Sequence, residues 1–171
     1  MTGTATGTTF EAEFESLRRT RAADPDAIRR ALAQRSRRPL LAGDGRLFIL
    51  AADHPARGAL GVRQDAMAMA DRYDLLDRVA RALRDPRVDG FLGTADLVED
   101  LALMGALEGK VVVGSMNRGG LRSAVFEMDD RFTAYDPETI RDRGSTPRSC
   151  WCGSTSTTRA RCAPWRRPRP R

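Results

Sequence analysis

The sequence predicts an α/β fold built on a parallel sheet, and three observations predict it. Short apolar runs alternate with longer segments of helical periodicity. The runs are continuously apolar, as strands covered on both faces require. Each run stops at a polar cluster: Asp53-His54, then Thr94 with Asp96, then Ser115 with Asn117 and Arg118. In parallel sheets the carboxyl ends of the strands carry the chemistry, so three such clusters in succession point to an enzyme site.

Met1–Thr9 is rich in Thr and Gly and is expected to lack regular structure. Residues 10–45 form a helical segment with helices at Phe10–Arg19 and Asp24–Ala33. The second opens on Asp24-Pro25, a capping residue followed by Pro at the first helical position. Its apolar stripe is Ala27, Ile28, Ala31 and Leu32, and Arg35, Arg37 and Arg38 complement the dipole at its end. Gly43-Asp44-Gly45 marks a turn, and Leu47–Ala52 reads as a strand. Asp65–Leu83 reads as one long amphipathic helix, with Met69, Tyr73, Leu76, Val79, Ala80 and Leu83 inward and Met67 also in the core.

Asp85-Pro86 breaks that helix. Val88–Leu92 is the second strand, Leu97–Leu107 the next helix, and Lys110–Met116 the third strand after a Glu108-Gly109 turn. Gly119-Gly120 is either a loop that approaches a phosphate or a plain tight turn. Phe126–Tyr135 is a polar, aromatic excursion expected to reach over the mouth of the sheet. Asp136-Pro137-Glu138 starts another helix that ends at Arg143-Gly144, and a fourth strand should follow.

Ser145–Arg171 supplies none. It holds seven Arg, no acid, all three Cys, both Trp, and no Leu, Ile, Val or Met. It carries +7 against a whole-chain net charge of +6, leaving −1 for Met1–Gly144. One reading is a disordered basic arm that binds nucleic acid through Arg and Trp, or an acidic membrane. The genetic code supports another, a shifted reading frame. Joining the third base of the Cys150 codon to the Trp151 codon gives Leu, and Trp151 with Cys152 gives Val. With GC-rich third positions the shifted frame spells a helix end, an apolar strand, a polar strand end and a helix start. That is the missing fourth βα unit, so nucleic acid is not the expected partner.

The body has no Cys and gives no disulfide or thiolate–metal signal. Asp53 and His54 are adjacent ligand-type residues, yet a third ligand at suitable spacing is missing, so a metal-dependent enzyme is the weaker alternative. No dinucleotide or Walker glycine motif follows a strand. No run reaches the ~20 apolar residues of a membrane span, and the N-terminus does not read as a secretory signal. A cytoplasmic enzyme is the expectation.

LFILAADHPARGALG at 47–61 resembles the first strand and loop of the class I aldolases of the deoxyribose-phosphate aldolase and DhnA-type fructose-bisphosphate aldolase superfamily. VDGFLGTADLVEDLALMGAL and KVVVGSMNRGGL look closest to an aldolase-like branch of the deoxyribose-phosphate aldolase or LacD-like kind, and the resemblance spans 46–144. It implies the N-terminal portion of a (βα)8 TIM barrel, about three to four βα units, since a whole barrel needs about 250 residues. It also implies reversible aldol cleavage of a sugar or sugar phosphate through a Lys Schiff base, with no metal or other cofactor.

In that frame Asp53 is the acid/base carboxylate and His54 its neighbour in a hydrogen-bonding or structural role. Thr94, Ser115 and Asn117 bind substrate hydroxyls, and Arg118 meets a substrate phosphate or a nearby carboxylate. The Schiff-base lysine is expected on a later strand. Lys110, the sole Lys, begins a strand, on the stability face rather than the catalytic one. The expectation is a truncated aldolase-like chain, inactive as it stands, whose open strand edges favour self-association.

Overall fold

The computed structural model describes residues 5–41, 43–116, 134–136, 138 and 139. The elements are helix α1 (Ala5–Ala23), helix α2 (Ala27–Gln34), strand β1 (Ile49–Ala51), a 3-10 turn (His54–Arg57), helix α3 (Arg72–Leu83), strand β2 (Gly90–Gly93), helix α4 (Ala95–Leu103) and strand β3 (Val111–Gly114). The sheet order is β1-β2-β3 and both pairings are parallel. Ile49 lies opposite Gly90, and Gly90 in turn opposite Val111. Helix α3 carries the chain from β1 to β2, and α4 from β2 to β3.

The expected barrel portion is corrected by this arrangement. The structure is a small α/β unit with a three-stranded parallel sheet and four helices among the described residues. Among the described residues β1 and β3 each have one strand neighbour, so the strands form an open sheet, and nothing in it shows part of a barrel. The first strand is also not buried on both faces. Ile49 and Leu50 are half-buried, Ala51 is exposed, and Phe48 just before them is 58% exposed. The double covering predicted from apolar composition holds for β3, whose four residues are all buried.

The core lies where α2, α3 and α4 meet the sheet, with Leu32, Leu76, Phe91, Val98, Leu101, Leu107 and Val112 fully buried. Helix α2 packs on α4. Helix α1 begins at Ala5, inside the Thr/Gly-rich stretch, and adds Phe14 and Leu17 to the core.

The long helix expected from Asp65 starts seven residues later. Asp65 instead closes a tight turn, pairing with Val62 in both directions around Arg63 at φ 54°. Asp71 is the true cap, its Oδ1 accepting the Tyr73 and Asp74 amides at 2.8 and 3.0 Å. Met67 therefore sits 61% exposed rather than in the core, while Met69 packs partly buried against it. Tyr73 faces α1, its ring 4.6 Å from that of Phe14. In α2 the N-cap position falls to Asp26, not Asp24, with Pro25 ahead of it, and the Asp26 side chain makes no capping hydrogen bond.

Candidate functional site

Three strand ends converge on one side of the sheet. At the end of β1 the pairing continues one residue, with Ala52 N–H donating to Leu92 O at 2.9 Å. Asp53 then stands at the N-cap position of the 3-10 turn without a side-chain capping bond, Pro55 favours its first turn, and Gly58 ends it at φ 72°. Arg57 lies four positions after Asp53, so this turn folds the guanidinium back onto the carboxylate. Arg57 donates through Nε at 3.0 Å and a terminal nitrogen at 2.8 Å, both to Asp53 Oδ2. The two side chains are 11% and 10% exposed, a nearly dry ion pair. Asp53 Oδ1 faces the His54 side, 3.8 Å from Nδ1, and His54 itself is half exposed.

At the end of β2, Thr94 is the N-cap of α4 in extended conformation and Asp96 lies in the first helical turn. Negative charge is favoured at a helix N-terminus. Asp96 pairs with Arg72, which also pairs with Asp100 from one turn further along α4. Asp100 is only 3% exposed and takes a second arginine, Arg21 of α1, at 2.6 Å. Arg21 also reaches Glu99 at 3.2 Å. Burial opposes the charge on Asp96, but Thr94 and Arg72 outweigh it and hold its carboxyl below the usual range.

At the end of β3, Ser115 is buried and its N–H donates to Gly93 O at 2.9 Å. Residues 134 and 135 return beside it: Ala134 N–H donates to Met116 O and Tyr135 N–H to Ser115 O. The Tyr135 hydroxyl donates to Ala95 O at 3.3 Å, which ties this stretch to the start of α4. Of the expected excursion at Phe126–Tyr135, residues 126–133 lie outside the described residues. Asn117, Arg118, the Gly119-Gly120 loop and the tail from Ser145 lie outside the described residues.

A cleft of about 300 Å³ opens at the ends of β1 and β2, between Ala52, Pro55, Leu60, Arg72, Thr94 and Asp96. Of the expected site residues it takes in Thr94, and Asp53 adjoins it through Ala52 and the Pro55 turn. His54 and Ser115 are not on its wall. Two larger grooves, of about 570 and 590 Å³, run along α1 away from the strand ends. Their size does not make them the better site, because the strand-end residues are not among their linings.

Arg57, Arg72 and Asp100 were not singled out by sequence. The Asp53–Arg57 spacing was a usable signal, whereas Arg72 and Asp100 are joined only by folding. Lys110 sits where expected, at the opposite end of the sheet, its ammonium donating to Val88 O at 2.6 Å and Asp85 O at 3.2 Å. Among the described residues, no three His, Cys, Asp or Glu are grouped to hold a metal ion, and no helix is long and apolar enough to cross a membrane.

No curated protein matches the chain. Its structure is similar to the crystal structure of Cgl0159 from Corynebacterium glutamicum (Brevibacterium flavum), with 58% sequence identity and a TM-score of 0.73. The similarity covers 78% of this chain and 45% of that one, so the chain spans less than half the length of this relative. The sequence pattern of the Cgl0159-like family matches residues 45–147. That finding corrects the resemblance to class I aldolases. The motifs that suggested it, from the Asp53-His54 strand end to the Ser115 strand end, fall inside the Cgl0159-like match, and no class I aldolase family matches. With more than half of its residues covered by that pattern, the chain belongs to the Cgl0159-like family.

Proposed function

We infer that this chain carries the acid–base portion of a small-molecule enzyme site, with Asp53 handling the proton and a hydroxylated carbonyl compound as substrate. The observation that carries the reading is a buried carboxylate at the tip of β1, beside a cleft at the carboxyl ends of a parallel sheet. Ligands of α/β proteins bind at such ends. Arg57 engages Oδ2, so Oδ1 is the oxygen assigned to proton transfer.

Reversible aldol cleavage of a sugar or sugar phosphate is the reaction class this fits, since a base must take the hydroxyl proton as the carbon–carbon bond breaks. The complementary group is an electron sink for the departing carbanion, such as a lysine amine. Lys110 cannot serve, being bound to backbone carbonyls at the far end of the sheet. The activity is therefore proposed for a product read through in the shifted frame beyond Ser145, and this chain as it stands is proposed to be inactive.

The test is an aldol-cleavage assay of the read-through product over short hydroxylated carbonyl compounds and their phosphates. Activity that falls about 10²–10⁴-fold in Asp53→Asn, without loss of folding, is the expected result. Equal activity in Asp53→Asn overturns the assignment.

A further inference from the structure

Three polar side chains line the strand-end cleft, Arg72, Thr94 and Asp96, and its other walls are Ala, Pro, Leu and Met. A helix N-terminus beside an arginine is ordinarily a place where phosphate or carboxylate binds. Here that place is taken. Asp96 pairs with Arg72 and has Thr94 as a hydrogen-bond partner. Behind it Asp100 and Glu99 share Arg21, and Asp100 also holds Arg72. Of the residues that line the cleft, Arg72 is the cation and Asp96 the carboxylate, so the arginine is already matched, with Asp100 behind it as a second partner. Arg57, on the turn that follows β1, is paired with Asp53.

We propose that Asp96 is a specificity-determining residue: a built-in anion that fills the N-terminus of α4 and selects the uncharged end of a substrate. The assignment rests on the cleft being the substrate site. An incoming phosphate would have to displace Asp96 from Arg72 and then lie beside the displaced carboxylate, which like-charge repulsion disfavours. A neutral hydroxyl or carbonyl meets no such penalty and has the Thr94 hydroxyl and the apolar walls to contact. A phosphate on the substrate would accordingly be held outside this cleft.

The experiment is a titration of the full ¹⁵N-labelled chain with inorganic phosphate and, separately, with hydroxyacetone, read at the amides of Thr94–Leu97. In the wild type, hydroxyacetone shifts these amides and phosphate gives no saturable shift. In Asp96→Asn, which keeps shape and removes charge, phosphate saturates them at a concentration about ten-fold or more below any wild-type response. The double variant Asp96→Asn with Arg72→Gln loses that gain. Saturable phosphate binding at these amides in the wild type overturns the proposal, as does a folded Asp96→Asn with no gain, or a wild type that hydroxyacetone leaves unmoved. Should Asp96→Asn not fold, Asp96→Ala takes its place, and the wild-type titrations decide by themselves. A phosphate gain in Asp96→Asn, with no loss of activity from Asp53→Asn in the read-through product, would keep the selectivity device and remove only the catalytic reading.

Discussion

Replacing Asp100 by Asn removes the charge at the centre of the ion network and leaves its shape. Asp100 is 3% exposed and joins Arg21 of α1 to Arg72 of α3, so the change acts on three helices at once. Breaking a fully buried ion pair costs about 3–5 kcal/mol because the partner charge is stranded. Arg21 and Arg72 keep 33% and 40% of their side-chain surface in contact with solvent, so part of that cost is recovered by hydration. About 2 kcal/mol remains, which lowers the melting midpoint by about 4–8 °C in a chain of this size. Thermal unfolding followed by circular dichroism at pH 7 measures it. The comparison is Arg19→Gln, which removes an exposed pair with Glu15 and should cost under about 0.5 kcal/mol. If Asp100→Asn melts no lower than Arg19→Gln, the network is not the brace described here.

Gly90→Ala should be more damaging than any surface change, since a Cβ there would lie 2.5 Å from the Val111 carbonyl oxygen and 2.9 Å from Val111 Cβ. Backbone cannot yield as a flexible side chain does, so a loss of about 1–3 kcal/mol or more is expected, and an unchanged denaturation midpoint would refute the β2–β3 register. Acid should unfold the protein. Asp85 is held down to about 2 by hydrogen bonds from Arg87, and Asp89, Asp96 and Glu108 are also lowered by their partners. The folded state favours their ionised forms, so this stability is complete above the unfolded carboxylate values and is lost as pH falls through the depressed folded ones. Denaturant midpoints at pH 6 and pH 3 check it, and equal midpoints would contradict it. Resequencing the locus should find that one frame change near Ser145 restores an apolar strand, within three residues of where the family match ends. An intact frame with the same tail would remove that reading.

The alternation of strand and helix was legible because apolar run length and helical periodicity are local properties. Closure was not. Whether β1 meets another strand depends on chain far from it, and Phe48, apolar in sequence, is largely exposed. The start of α3 was misplaced because Asp65 and Asp71 are equally good caps by type, and only the Val62–Asp65 turn decides between them. Arg35 is expected from sequence only to complement the dipole at the end of α2. It is 7% exposed and donates to Lys110 O at 2.9 Å, and burial lowers its pKa. At the site, Asp53 and Thr94 could be located because strand ends can be read from where apolar runs stop. The ion network behind them was not legible: Arg72 reaches Asp100 across 28 positions and Arg21 across 79. No periodicity links residues so far apart.

The strand-end cleft, and not the larger grooves along α1, is proposed to bind the small ligand. The most direct measurement is a crystal structure of the full chain with hydroxyacetone. The ligand is expected beside Ala52 and Thr94, within hydrogen-bond reach of the Thr94 hydroxyl or Asp53 Oδ1. A ligand seated between α1 and the Gly105–Lys110 loop, with the strand-end cleft empty, would contradict it.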